Sequence, residues 1–325
     1  MLLKIFRSQS PIQFILIFIV GLLLWTLPDR GASMQPSSNF DSGIYKYFSE
    51  LFTASSSLSR TIAFIIILFQ ATLLNYLLIK NNLAPKNSLL PSFLLILFYS
   101  STTSVFQLSA PLIASFFILL AVAELASMYE LKYAFTESFN ASFFITIASF
   151  FYFPAVIFIL LPWISFFIYR IVSWREWVIS FIGMASALML FAFFYFWNNR
   201  LLDVCTMITH FFGNPIRFQI HLSTAEIIIW SIVGLIFLSA IFNLMNHVNE
   251  KIIAIRRKYL VFIVLFIISV LSFLYADSNY RFHLAFLASP IVIIINNALV
   301  SRKKQGRSEM ILWVLIVAVI ISRTI

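Results

Sequence analysis

Apolar runs recur from one end of this chain to the other, and most of them are long enough, at roughly 17–22 residues, to cross a hydrocarbon layer of about 30 Å as a helix. The runs fall at 11–27, 61–79, 89–105, 109–127, 139–152, 154–170, 177–197, 225–246, 259–275, 284–300 and 310–322. Their hydrophobicity is continuous and does not alternate in the two-residue rhythm of a barrel strand. Helices, which close their backbone hydrogen bonds within the segment, are therefore expected. The expected fold is all-α, a polytopic transmembrane bundle of about 11 helices. Of the 325 residues, 62% are hydrophobic and 10% charged, against about 25% charged in soluble domains, which excludes the soluble globular class.

The formal charge of +10 suggests nucleic acid as a partner until the bases are located. They sit in short clusters between apolar runs, which is how membrane topology is encoded, so no nucleic-acid partner is expected. With the N-terminus placed in the cytoplasm, the inner loops hold Lys4, Arg7, Lys80, Lys86, Lys132, Arg170, Arg175, Lys251, Arg256, Arg257, Lys258, Arg302, Lys303, Lys304 and Arg307. The outer side holds Arg30, Lys46, Arg60, Arg200, Arg217, Arg281 and Arg323. This asymmetry predicts a multi-pass protein of the bacterial inner membrane with a periplasmic C-terminus. The clusters at 256–258 and 302–304 read as anchors against anionic lipid.

The start of the chain combines Lys4 and Arg7 with an apolar core from Ile12 to Leu27, a pattern shared with signal peptides. Its length predicts an uncleaved first helix. A second ambiguity surrounds Pro154, where either two short crossings meet at an outer turn or one long helix kinks; two crossings keep the charge count intact. No internal repeat appears, so 1–325 reads as a single integral membrane domain. It includes an outer loop at 28–60, in which Asp41 caps an interfacial helix with Ile44, Phe48, Leu51 and Phe52 on one face. A second interfacial helix, or a re-entrant one, is expected near Val204–Phe211.

The lone Cys205 permits neither an intramolecular disulfide nor a cysteine-built metal site. No phosphate-cradling glycine loop, HExxH or GxSxG is present. The candidate chemistry lies on the outer face. Asp29 and Asp41 are carboxylates suited to proton abstraction or to holding a divalent cation. Arg30, Arg200 and Arg281 stand there against the positive-inside tendency, and their guanidinium forks suit a lipid-linked phosphate or pair with nearby acids. His210 and His283 are placed on the same face, where an imidazole either transfers protons or bonds to the backbone. Glu124, at the inner end of its segment, is an acid within an apolar run and so a functional candidate, with snorkelling as its alternative.

Two passages resemble the membrane glycosyltransferases of the GT-C superfamily. PLIASFFILLAVAELASMYELKYAFTESFNASFFITIASFFYFPAVIFILLPWISFFIYR, from Pro111 to Arg170, resembles their spanning helix, short inner loop and broken helix pair. NYRFHLAFLASPIVIIINNAL, from Asn279 to Leu299, resembles their late arginine followed by a proline-containing apolar helix. The resemblance implies GT-C-like topology and transfer of a sugar from a polyprenyl-phosphate-linked donor on the periplasmic face. It makes Asp29 the base, assisted by Asp41, and Arg281 the phosphate ligand. The chain departs from that family where Leu108-Ser109-Ala110-Pro111 replaces an expected acid. The whole sequence also resembles an uncharacterised bacterial family of polytopic inner-membrane proteins, through Trp174-Arg175-Glu176-Trp177 at a helix start. The alternative functions are a noncatalytic scaffold or subunit of a cell-envelope complex, with membrane lipids and envelope proteins as partners, and a transporter in which Glu124 would be essential.

Overall fold

A computed structural model describes residues 11–26, 44–45, 56–86, 88–101, 108–171, 173–200, 224–247, 250–275, 280–301 and 305–324, with isolated residues between 202 and 213. Among these the chain forms eleven α-helices. They are α1 (Pro11–Thr26), α2 (Ser56–Lys80), α3 (Leu90–Ser100), α4 (Ala110–Ser127), α5 (Phe135–Phe151), α6 (Leu160–Tyr169), α7 (Trp174–Trp197), α8 (Thr224–His247), α9 (Ile253–Ser272), α10 (Tyr280–Ser301) and α11 (Gln305–Thr324). Five of them, α2, α4, α7, α8 and α10, are long and apolar enough to cross a membrane.

Local chemistry sets the boundaries. Proline opens α3 and α4 and the 3₁₀ turn at Phe153–Ile159, because a residue without an N–H costs nothing in a first helical turn. Ser173 and Glu176 form a side-chain hydrogen bond across the first turn of α7, in the sequence spacing of a capping box. The left-handed residues Asn82, Arg170 and Asn199 close α2, α6 and α7.

Pro154 does separate two helical segments, as expected, and the chain reverses between them. A continuous helix from Phe135 to Tyr169 would hold its ends roughly 50 Å apart. Instead Tyr129, just ahead of α5, meets Tyr169 at the end of α6 with ring centroids 5.6 Å apart. The chain therefore runs one way along α5 and back along α6. Phe117 stacks on Phe151 at 5.5 Å, which sets α4 and α5 antiparallel.

The most buried long helix is α10, which packs against α3, α4, α8 and α9; α7 lies at the rim on α5. The α5–α7 seam is made by small residues. A Cβ on Gly183 would stand 2.5 Å from the Phe139 carbonyl oxygen, and the Ser142 and Ser180 hydroxyls meet at 2.5 Å. Close backbone approach and hydroxyl pairing replace the hydrophobic driving force that lipid removes.

Helix α3 is shorter than its predicted run. Every residue from Leu90 to Ser100 is buried, and so are Asn81, Leu83, Ala84, Ser88 and Leu89 in the link before it. Irregular backbone is tolerated there because these buried residues are covered by protein. Of the interfacial helix expected within 28–60, only Ile44 and Tyr45 are described; both are helical, and the Tyr45 hydroxyl donates to Leu108 O at 2.8 Å. That contact turns Tyr45 into the bundle. The second interfacial helix lies largely outside the described residues.

Candidate functional site

The polar groups gather at two ends. One end carries the starts of α8 and α10, the other the basic residues that open α9. At the first end Arg281, in the opening turn of α10, approaches Glu226 in the opening turn of α8. Its Nε lies 2.7 Å from Oε1 and its Nη2 3.1 Å from Oε2. Both side chains are largely buried, so the fork-to-carboxylate geometry pins α8 to α10.

His283 is a correction to the sequence reading, which put it in an outer loop. Helix α10 begins at Tyr280, and His283 is 1% exposed within it. Its Nε2 is hydrogen-bonded to the Tyr152 hydroxyl at the Pro154 break, and Phe273 and Phe286 close round the imidazole. The partner is a side chain, not the backbone group expected of an interfacial histidine. Glu124 is half-buried in α4 and accepts from Asn140 Nδ2 at 3.4 Å. Arg200 follows the exposed end of α7, its N–H bonded to Tyr195 O at 2.9 Å. Asp29, Arg30, Asp41 and His210 lie outside the described residues.

The other end overturns the reading of Arg257 and Lys258 as lipid anchors. Lys258 is 1% exposed and donates to Asn81 Oδ1 at 3.0 Å, in the link after α2. Arg257 donates from Nη1 to Tyr169 O at 3.1 Å, where the last carbonyls of α6 attract a cation, and lies 5.2 Å from the centre of the Tyr129 ring. Lys251 donates to Asn297 Oδ1 on α10 and lies 4.3 Å from the centre of the Tyr259 ring. Its half-burial pushes the ammonium down to about 8. Three cations thus tie the start of α9 to α10, to the end of α6 and to the link after α2. The available sequence signal was the amide pair Asn296-Asn297 inside an apolar run, since buried amides in a spanning helix call for polar partners.

Among the described residues no cluster of three or more histidine, cysteine, aspartate or glutamate side chains is placed to hold a metal ion. An apolar cavity lined by Phe98, Val233, Val292 and Leu315 measures about 20 Å³, room for a water and not for a sugar.

Eleven helices, five of them of spanning length and composition, with interhelical polar struts at both ends, define a multi-pass α-helical membrane protein. The chain belongs to the family described as "Family of unknown function (DUF6427)", whose model matches residues 43–325. Asp29, Arg30 and Asp41 precede the matched stretch. Neither a curated protein nor a solved structure matches the chain.

Proposed function

We propose that this protein is a noncatalytic membrane subunit, a scaffold on which a cell-envelope complex is assembled, with its basic end facing the cytoplasm of a bacterial inner membrane. The observation that carries this reading is the engagement of Arg281 by Glu226. The arginine that the GT-C resemblance assigns to the phosphate instead joins two helices. His283, Arg257 and Lys258 are likewise bonded to groups of the bundle. Extraction from native membranes in a mild detergent, followed by light scattering, tests the reading. A fixed-stoichiometry complex that survives Asp29→Asn and Asp41→Asn supports it, and a solitary chain contradicts it.

A second reading is sugar transfer from a polyprenyl-phosphate donor, assisted by a divalent cation. It is favoured by the position of Arg281 at the head of α10, ahead of Pro290 within the helix, the pattern that carries the GT-C resemblance. Asp29 would be the base, with Asp41 assisting. Arg200 and Arg30 would join Arg281 on the phosphate. Loss of product in Asp29→Asn at unchanged membrane abundance would support this reading over the scaffold; product formation by that variant would dismiss it.

A further inference from the structure

The basic end holds more than struts. Two registers locate a polar layer there. Ser269 Oγ donates to Phe286 O at 3.1 Å between antiparallel α9 and α10. Lys258 lies as far before Ser269 as Asn297 lies after Phe286, so equal helical rise sets the two level. The Tyr99 hydroxyl reaches Ala285 O at 3.5 Å between antiparallel α3 and α10. By the same counting, Asn296 comes level with Ser88, just ahead of the α3 N-terminus. Asn81, Ser88, Lys258, Asn296 and Asn297 are all at most 5% exposed.

Within this layer three carboxamide atoms have no hydrogen-bond partner among the described residues: Nδ2 and Oδ1 of Asn296, and Nδ2 of Asn297. The orientation of Asn297 is fixed by Lys251, because turning the amide over would set its N–H groups against an ammonium. Its Nδ2 is therefore a buried donor in want of an acceptor, one carboxamide's width from a cation. Buried amides are almost always paired. At the start of α3 the Leu90 N–H is already taken by Ser88 Oγ at 3.3 Å, so this helix end contributes its dipole and not an open cap.

We propose that this layer binds a phosphate-class oxyanion, held by the Lys251 and Lys258 ammonium groups and the Asn296 and Asn297 amides, with the α3 N-terminus behind it. A partly protonated phosphate both accepts and donates, which suits an inventory that includes the orphaned Asn296 Oδ1; a carboxylate only accepts. The phosphate belongs either to a soluble ion or ester or to a lipid headgroup entering from the membrane surface. The proposal does not rest on the scaffold reading, since a subunit and an enzyme can each hold such a group.

The test uses the full-length protein, purified and delipidated in detergent or returned to nanodiscs. Radiolabelled inorganic phosphate is titrated in detergent. In a second arm, nanodiscs of phosphatidylcholine alone are compared with nanodiscs that also contain phosphatidic acid, by native mass spectrometry. Saturable phosphate binding assigns the soluble source, and selective retention of phosphatidic acid assigns the lipid source. Asn296→Leu is expected to weaken binding at least about tenfold while keeping or raising the melting temperature, because it removes an unsatisfied buried amide. Lys251→Gln, at a half-buried position, gives the same loss should the leucine variant fail to fold, and Lys251→Arg retains binding. Saturation by neither probe, or unchanged affinity in Asn296→Leu or Lys251→Gln, overturns the proposal.

Discussion

Lys258 Nζ donates to Asn81 Oδ1 at 3.0 Å, joining the start of α9 to the link after α2 across most of the sequence. A cation in a cluster that topology alone would assign to the lipid surface is an internal strut. Breaking it from the amide side is the costlier change. Asn81→Ala leaves a buried ammonium without this acceptor and is expected to destabilise the protein by about 1–3 kcal/mol or more. The double variant Asn81→Leu, Lys258→Met replaces both partners with apolar groups and recovers much of that loss. Thermal melts of the four proteins in one detergent complete the cycle.

The α5–α7 seam has no room for a side chain at Gly183. Gly183→Ala is expected to lower stability by about 1–3 kcal/mol through overpacking, and Gly183→Leu by more. Gly234 on α8 is the control, since a Cβ there meets nothing within 4 Å. Gly234→Ala should be neutral or stabilise by roughly 0.5–1 kcal/mol through backbone entropy. Melting temperatures measured side by side separate the two outcomes.

Lys251 gives the basic end a pH signature. Burial lowers its ammonium from 10.5 to about 8 in the folded chain. Between those values the unfolded chain holds a proton that the folded chain has released, so stability rises with pH across that window. Below about 8 both states are protonated and this contribution is flat. The rise should be absent in Lys251→Met. Differential melting curves of the two proteins across the window report it directly.

Helix positions were legible because hydrophobic length is a property of the segment itself. Each of the eleven expected spans has its helix, and the reversal at Pro154 followed from the need to keep the bases on one side. What the sequence hid were the pairings. A run ending at a charge invites the helix to be ended there, so 256–258 were counted as loop and His283 as an outer residue. Both α9 and α10 in fact extend through these polar residues, because partners on other helices make their burial tolerable. Glu226, Asn81 and Tyr152 are far in sequence from the groups they hold, and no local pattern announces them. Arg281, likewise expected in the loop before the run at 284–300, stands in the first turn of α10, and its commitment to Glu226 was not readable.

The scaffold account stands or falls on whether Arg281 serves the bundle or a ligand, and a charge exchange decides it. Arg281→Glu alone and Glu226→Arg alone each leave like charges facing one another in a largely buried site, and are expected to reduce membrane abundance and melting temperature. The exchanged pair, Glu226→Arg with Arg281→Glu, is predicted to restore both and to retain the native complex. Restored stability accompanied by loss of the complex or of a glycosylated product would contradict the account and return Arg281 to a phosphate.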